Sequence, residues 1–250
     1  MTESQMPYNG QGNGHDRQDD EEKIVRLPTL VERDRMRREK EKAGADQHPH
    51  PPLINLPPAT KVLLGMMVAV HLVIVFALSV SQQEWVYMHL GFVPGRFTGE
   101  APFDIWAGLS LVTHMFVHGG WLHLAMNGVM LAAFGAGIER WMGARRMVLF
   151  FLLTGLCGAA CHFVLNAHSV FPVVGASGGL SGLFAAAIVM INRGRGDIGG
   201  RFGMIPFVIL WIGISIAFGM IGSPDGSPIA WAAHVGGFVG GFALLKLMKI

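Results

Sequence analysis

The sequence predicts an all-α polytopic membrane protein built as a six-helix bundle. Three observations carry that expectation. Hydrophobic residues make up 51% of the 250 and charged residues only 14%, where a soluble domain carries about a quarter charged. Mean hydropathy is +0.43, and much of the charge lies before Thr60. The weakly charged remainder divides into apolar stretches close to the roughly 20 residues needed to cross a bilayer. A net charge of +2 leaves no large basic field for nucleic acid. Cys157 and Cys161 stand four apart in an apolar run, which suggests neither a zinc site nor a disulfide framework.

Residues 1–58 read as a polar cytoplasmic tail, too hydrophilic to bury a core and therefore disordered. Its 32–42 stretch has the mixed charge of a short solvated helix, and the proline-rich 48–58 segment reads as a stiff spacer. No apolar stretch follows the first methionine, so a cleavable signal peptide is not expected. Residues 59–250 form the membrane domain. Its first span is 61–80, with His71 as an interior polar group. Residues 81–120 hold Trp85, Tyr87 and Trp106 among scattered charges; aromatics of this kind favour the membrane–water boundary. That segment reads as a structured interfacial loop with short helices partly in the bilayer. Spans follow at 121–141 and 147–166, then an apolar re-entrant stretch at 168–174. The fourth span, 177–192, is short enough for its first residues to lie below the membrane plane. The fifth is 202–221, a polar turn occupies 222–228, and the sixth is 229–247.

Lysine and arginine placement sets the expected orientation. The tail, the Arg140–Arg146 loop, the Arg193–Arg201 loop and the Lys246–Lys249 end fall on one side, so both termini are expected to be cytoplasmic. The starts of the second, fourth and sixth spans then share the extracytoplasmic side. They carry His123 and Asn127, Ser177, and His234 respectively.

The central stretch is Val174-Gly175-Ala176-Ser177-Gly178-Gly179-Leu180-Ser181-Gly182. Taken alone, it is better explained by helix packing than by catalysis, because Gly178-x-x-x-Gly182 lets another backbone come close. The topology alters that balance. Polar groups in hydrocarbon are expensive unless they face an interior cavity and find partners. His123 and Asn127, four apart, share one helix face, either as interhelical glue or as donors for a developing oxyanion. Gly236-x-x-x-Gly240 and Gly237-x-x-x-Gly241 allow the sixth helix to approach the Gly178/Gly182 face, bringing the His234 imidazole near a hydroxyl. No Asp or Glu lies inside the predicted core of spans two, four, five or six, so a Ser–His dyad is expected rather than a triad.

These motifs together resemble the rhomboid intramembrane serine proteases. Gly175-Ala176-Ser177-Gly178 corresponds to the family's GxSG, Ala233-His234-x-x-Gly237-x-x-x-Gly241 to its AHxxG pattern, and His123-x-x-x-Asn127 to its HxxxN. Glu139-x-x-x-Gly143 matches the motif closing the second helix, and residues 116–124 are typical of bacterial members. The resemblance covers about 61–247. It implies a serine endopeptidase without metal or cofactor, cutting transmembrane segments of membrane proteins near the extracytoplasmic face of a bacterial inner membrane. In it Ser177 is nucleophile, His234 is general base, and the Ser177 N–H, Asn127 and His123 form the oxyanion hole. Gly178, Gly182, Gly237 and Gly241 are packing positions.

Two departures stand out. Trp106 is followed by Ala107, where many members carry Trp-Arg, which leaves the bracing of the first loop open. Ser181 repeats the GxSG spelling four residues on; spacing from the re-entrant loop and to Arg193 favours Ser177. The alternative readings are a catalytically inactive rhomboid-like protein that binds transmembrane helices, a metal transporter using His114, His118 and His123, and a purely structural bundle.

Overall fold

The computed structural model describes residues 28–47, 55–195, 205–206, 209–213 and 230–249. Most of the predicted fifth span, the 222–228 turn, Arg201 and residues 1–27 and 48–54 of the tail and spacer lie outside the described residues. Among those described, every regular element is helical.

Among its described residues the amino-terminal unit contains one helix, α1 (Leu30–Gln47), longer at both ends than the 32–42 charge pattern marks. Thr29 and Glu32 form a capping box: Glu32 Oε2 accepts the Thr29 N–H at 2.8 Å, and the Glu32 N–H donates to Thr29 Oγ1 at 3.3 Å. Two orphan donors are satisfied in this way. Charge surrounds the helix, so it has no apolar stripe to bury.

The second unit opens with α2 (Pro58–Ala77). Pro58 suits the first helical position, where no N–H acceptor is needed. The remaining orphan donors meet Glu139, eighty residues from Ala59 along the chain, on α5 (Trp121–Met142). Its carboxylate accepts the Ala59 N–H at 2.9 Å, the Thr60 N–H at 2.7 Å and the Thr60 hydroxyl at 2.7 Å. Glu139 is 5% exposed, and burying its carboxyl group is offset by the three donors that point at it.

Helix α5 is not uniform. Residues Leu131–Gly135 form a π turn. Asn127 and Glu139 are twelve residues apart, and in an ideal α-helix they would face directions about a third of a turn apart. The wider π turn takes back that rotation, and both side chains are buried.

Between α2 and α5 lie α3 (Val80–Leu90), a 3₁₀ turn at Pro94–Arg96 and α4 (Ile105–Thr113). Trp106 and Ala107 do not brace this loop as a pair. Arg96 does so from ten residues upstream, with its guanidinium 2.9 Å from the Asp104 carboxylate. Asp104 in turn accepts the Ala107 N–H at 3.1 Å and caps α4. Trp85 meets Trp106 edge to face, centroids 5.2 Å apart.

The core is the packing of α6 (Ala144–Leu165), α7 (Ser177–Arg195) and α8 (Trp231–Leu247). Glycine decides how close they come. A Cβ on Gly237 would lie 1.9 Å from the Gly178 carbonyl oxygen, and one on Gly241 3.0 Å from Gly182 Cα. On the other side of α8, a Cβ on Gly236 would lie 2.3 Å from Cys161 Cβ, and one on Gly240 2.6 Å from Cys157 Cβ. The two glycine rows of α8 thus serve two neighbours, and the cysteines are the α6 wall of one contact. Deeper in the bundle, Phe184 joins Phe134, Trp211 and Phe238 in an aromatic cluster with centroids 4.8–5.8 Å from its own.

Helices α2, α5 and α6 are long and apolar enough to cross a membrane, and α8 is a shorter apolar helix. Replacing Glu139 with Ala removes the acceptor from three buried or half-buried donors, and a loss of about 3 kcal/mol of stability is expected. Reversible unfolding in detergent measures it, with Glu139→Gln retaining part because its amide oxygen still accepts.

Candidate active site

Ser177 is the first residue of α7, and the chain reaches it through Gly175, whose φ of +113° is a conformation that side-chain-bearing residues avoid. The Gly175 N–H donates to the His114 carbonyl at 2.8 Å. The rest of the entering segment is tied to the first loop as well. Phe92 and Val173 exchange two backbone hydrogen bonds, at 2.9 and 2.8 Å, the Gly95 N–H donates to the Ser169 carbonyl at 2.8 Å, and Thr98 Oγ1 donates to Ala167 at 3.0 Å. Glu100 and His168 add an exposed side-chain hydrogen bond at 3.0 Å, of little energetic weight. The turn before Ser177 is therefore positioned from outside the core.

His123 and Asn127 come to this turn from α5. A Cβ on Gly175 would sit 2.5 Å from His123 Nε2 and 3.4 Å from Asn127 Nδ2, so the bare glycine gives both side chains access to the backbone before Ser177. Asn127 is 3% exposed, and its Nδ2 has no hydrogen-bond partner. A buried unpaired donor costs about 1–3 kcal/mol, a cost that a donor waiting for a ligand explains.

His234 arrives on the first turn of α8. A Cβ on Gly158 would lie 2.7 Å from the Ala233 carbonyl and 3.2 Å from Gly178 Cα. Three backbones, those of Gly158, Gly178 and Ala233, thus meet at one point. Since Ser177 precedes Gly178 and His234 follows Ala233, this meeting brings their helical turns side by side. Ser177, His123 and His234 are half-buried, flanked by fully buried Ala176 and Ala233.

Ser181 is placed differently. It is 0% exposed, and its hydroxyl donates to the Ser177 carbonyl at 2.7 Å. Among the described residues no group of three or more His, Cys, Asp or Glu side chains is arranged to hold a metal. His114, His118 and His123 do not converge: His114 Nδ1 lies 2.8 Å from the Ser110 carbonyl, whereas His118 faces His123. Thr60 and the Arg96–Asp104 pair were not singled out by motif; Gly175 was, as the first residue of the GxSG spelling, but its positive φ and its place under His123 and Asn127 were not read from it.

A model of the rhomboid domain family matches residues 104–249, more than half of the sequence. The chain belongs to the rhomboid family. It is accordingly an integral membrane protein with several apolar helices. RHOMBOID-like protein 7 of Arabidopsis thaliana is 33% identical over 144 residues, covering 56% of this chain and 42% of the relative. Rhomboid protease GluP of Bacillus subtilis (strain 168) is 32% identical over 132 residues, covering 53% of this chain and 24% of the relative. Putative rhomboid protease YdcA of the same organism is 28% identical over 181 residues, covering 69% and 86%. The chain thus spans less than half of the first two relatives and most of the third.

Within this rhomboid domain the closest backbone approach is the most sensitive to substitution. Gly237→Ala places a methyl group against the backbone of Gly178, with neither side free to give, so α8 must move away from α7. A loss of about 1–3 kcal/mol of stability is expected, as overpacking costs, and the thermal midpoint in detergent measures it.

Proposed function

We propose that this rhomboid is a serine endopeptidase that cleaves transmembrane segments of other membrane proteins through a Ser177–His234 dyad. The observation that carries the reading is the meeting of Gly178, Gly158 and Ala233, which sets the turn of Ser177 beside that of His234. Family membership, and relatives whose names include "rhomboid protease", support the reaction class.

In the proposed mechanism, Ser177 Oγ attacks the scissile carbonyl while His234 takes its proton as general base. His234 then returns the proton to the leaving amine, and a water molecule, activated in the same way, releases the acyl group. The oxyanion is held by the Ser177 N–H, which is free because it lies in the first turn of α7, together with Asn127 Nδ2 and His123. Ser181, sealed and bonded to a carbonyl of its own helix, acts as a packing residue. A hydrogen-bonded substrate helix offers no free carbonyl in apolar surroundings, so the expected substrates carry helix-weakening residues near the cut. With arginines and lysines cytoplasmic, the site opens toward the extracytoplasmic side of the inner membrane. The Ser223–Pro228 turn, whose Pro and Gly content makes it, with the apolar span before it, a candidate gate, lies outside the described residues.

The test is reconstitution with a model transmembrane substrate and a fluorophosphonate probe. Ser177→Ala and His234→Ala are each expected to abolish both cleavage and labelling, whereas Ser181→Ala keeps both; the opposite pattern for the two serines overturns the assignment. Asn127→Ala should lower kcat by about 10²–10³-fold, as loss of one oxyanion donor does, with the fold intact because that amide nitrogen bonds nothing in the resting protein.

A further inference from the structure

The first loop grips the segment before Ser177 at two separate places, and an ion pair within the loop joins them. On the earlier side, the Gly95 N–H donates to the Ser169 carbonyl at 2.8 Å, and Phe92 pairs with Val173. On the later side, the His114 carbonyl at the end of α4 accepts the Gly175 N–H at 2.8 Å. The first grip holds the beginning of the segment, and the second holds the turn that delivers Ser177.

Helix α4 sets one grip relative to the other, because both of its ends are fastened to the earlier half of the loop. At its start, the Asp104 carboxylate accepts from the Arg96 guanidinium at 2.9 Å while capping the helix through the Ala107 N–H at 3.1 Å. At its end, the Thr113 hydroxyl donates to the Leu90 carbonyl at 2.8 Å. Asp104 and His114 are ten residue steps apart, a stiff span of about 15 Å. A shift of the helix at Asp104 therefore reaches the His114 carbonyl and the Gly175 N–H bonded to it. Arg96 is equally well placed. It closes the 3₁₀ turn that contains Gly95, where a Cβ would lie 3.0 Å from the Ser169 carbonyl oxygen. One turn thus carries both the first grip and the cation that aligns the second. The pair is also stronger than a surface contact. Arg96 is 7% exposed, so loss of Asp104 leaves a buried cation without its counter-charge.

We propose that Arg96 and Asp104 are positioning residues for the oxyanion pocket: their ion pair sets α4 so that the His114 carbonyl holds the turn at Gly175 beneath His123 and Asn127. Neither side chain touches the reacting atoms. They act through alignment, on which rate depends steeply even when the displaced group is remote. The inference rests on the reading of Ser177 as nucleophile, with its N–H, Asn127 and His123 as oxyanion donors.

The experiment uses the full chain in proteoliposomes with a transmembrane substrate, comparing wild type with Arg96→Met, Arg96→Lys, Asp104→Asn and the double variant Arg96→Met/Asp104→Asn. Rates are taken per folded molecule. Fluorophosphonate labelling at Ser177, and hydrogen exchange of the peptide holding the Val173 and Gly175 amides, are read in the same preparations. Arg96→Met is expected to lower kcat about tenfold with KM within about twofold, to slow labelling to match, and to speed exchange in that peptide. Asp104→Asn, whose amide oxygen still caps α4, lowers kcat about fivefold. Arg96→Lys recovers part of the loss because it keeps the charge. The double variant is no slower than Arg96→Met, since both changes remove one interaction. Wild-type kcat per folded molecule in Arg96→Met overturns the inference, as does a lowered kcat with unchanged exchange at Val173 and Gly175. If Arg96→Met does not fold, Asp104→Asn decides by the same rule. Absent labelling of wild-type Ser177 overturns the nucleophile reading itself; normal labelling with an unimpaired Arg96→Met overturns the role of the pair alone.

Discussion

Helix α8 lies so close to α7 that Gly237 rests on the carbonyl of Gly178, and most of the molecule's organisation depends on that contact. Inside a bilayer the hydrophobic effect does not press helices together, because lipid chains are as apolar as leucine. What remains is dispersion between surfaces, which grows as backbones approach, and the small residues that permit approach. Here the contact is shared three ways, since Gly158 of α6 meets both Gly178 and Ala233. A methyl group on Gly237 or Gly158 separates backbones rather than side chains, and no rotamer change absorbs it. The same contact fixes the depth of α8 relative to α7, so packing and the alignment of Ser177 with His234 are a single geometric fact.

The first loop is the second constraint, and it acts from outside the core. The segment entering α7 has little regular structure of its own, yet its backbone is bonded to the loop at Phe92, Gly95 and His114. Arg96 and Asp104 hold that loop in shape, with Arg96 only 7% exposed. A positive φ at Gly175 then lets the chain turn beneath His123 and Asn127 without a side chain in the way. Since the loop lies between α2 and α5 in sequence but bonds to the chain just before α7, it links two halves of the bundle that the core glycines do not join.

How much of this was legible in the sequence differs by element. The helical class followed from apolar length, and the meeting of the Gly178/Gly182 and Gly237/Gly241 faces was readable because four-residue glycine spacing has one structural use in an apolar helix. The partner of the other row, Gly236 and Gly240, was not: nothing local announces that Cys157 and Cys161 line a groove. The π turn in α5 was likewise hidden, because it is a change of register and not of composition. Glu139 could be matched to a motif, but its task of closing the start of α2 depends on a residue eighty positions away. The bracing of the first loop was left open at Ala107, where motif comparison looked for arginine; the guanidinium comes instead from Arg96, and Ala107 contributes its backbone N–H to the same carboxylate. Side-chain chemistry at a distance carries no periodic signal.

The distribution of unpaired polar atoms separates the two ends of the bundle. At the Glu139 end the buried polar groups satisfy one another: the carboxylate takes the Ala59 and Thr60 donors, and Arg140 bonds the carbonyls of Ala136 and Asn55. Among the described residues, His118, Asn127, His162 and Arg96, at the end with Ser177, each bury at least one polar atom without a partner, as does Trp211 beside Phe184 further along the bundle. Each such atom costs free energy in a low-dielectric interior, and a membrane bundle with no functional demand would fill those positions with carbon. Most of them lie at the end with Ser177, the region proposed to receive a substrate carbonyl and water, while the glycine contacts and the Glu139 cap hold the other end and the middle. The stable part of the fold is thus what permits an unsatisfied site, and an unsatisfied site can bind charge as it develops without first breaking bonds of its own.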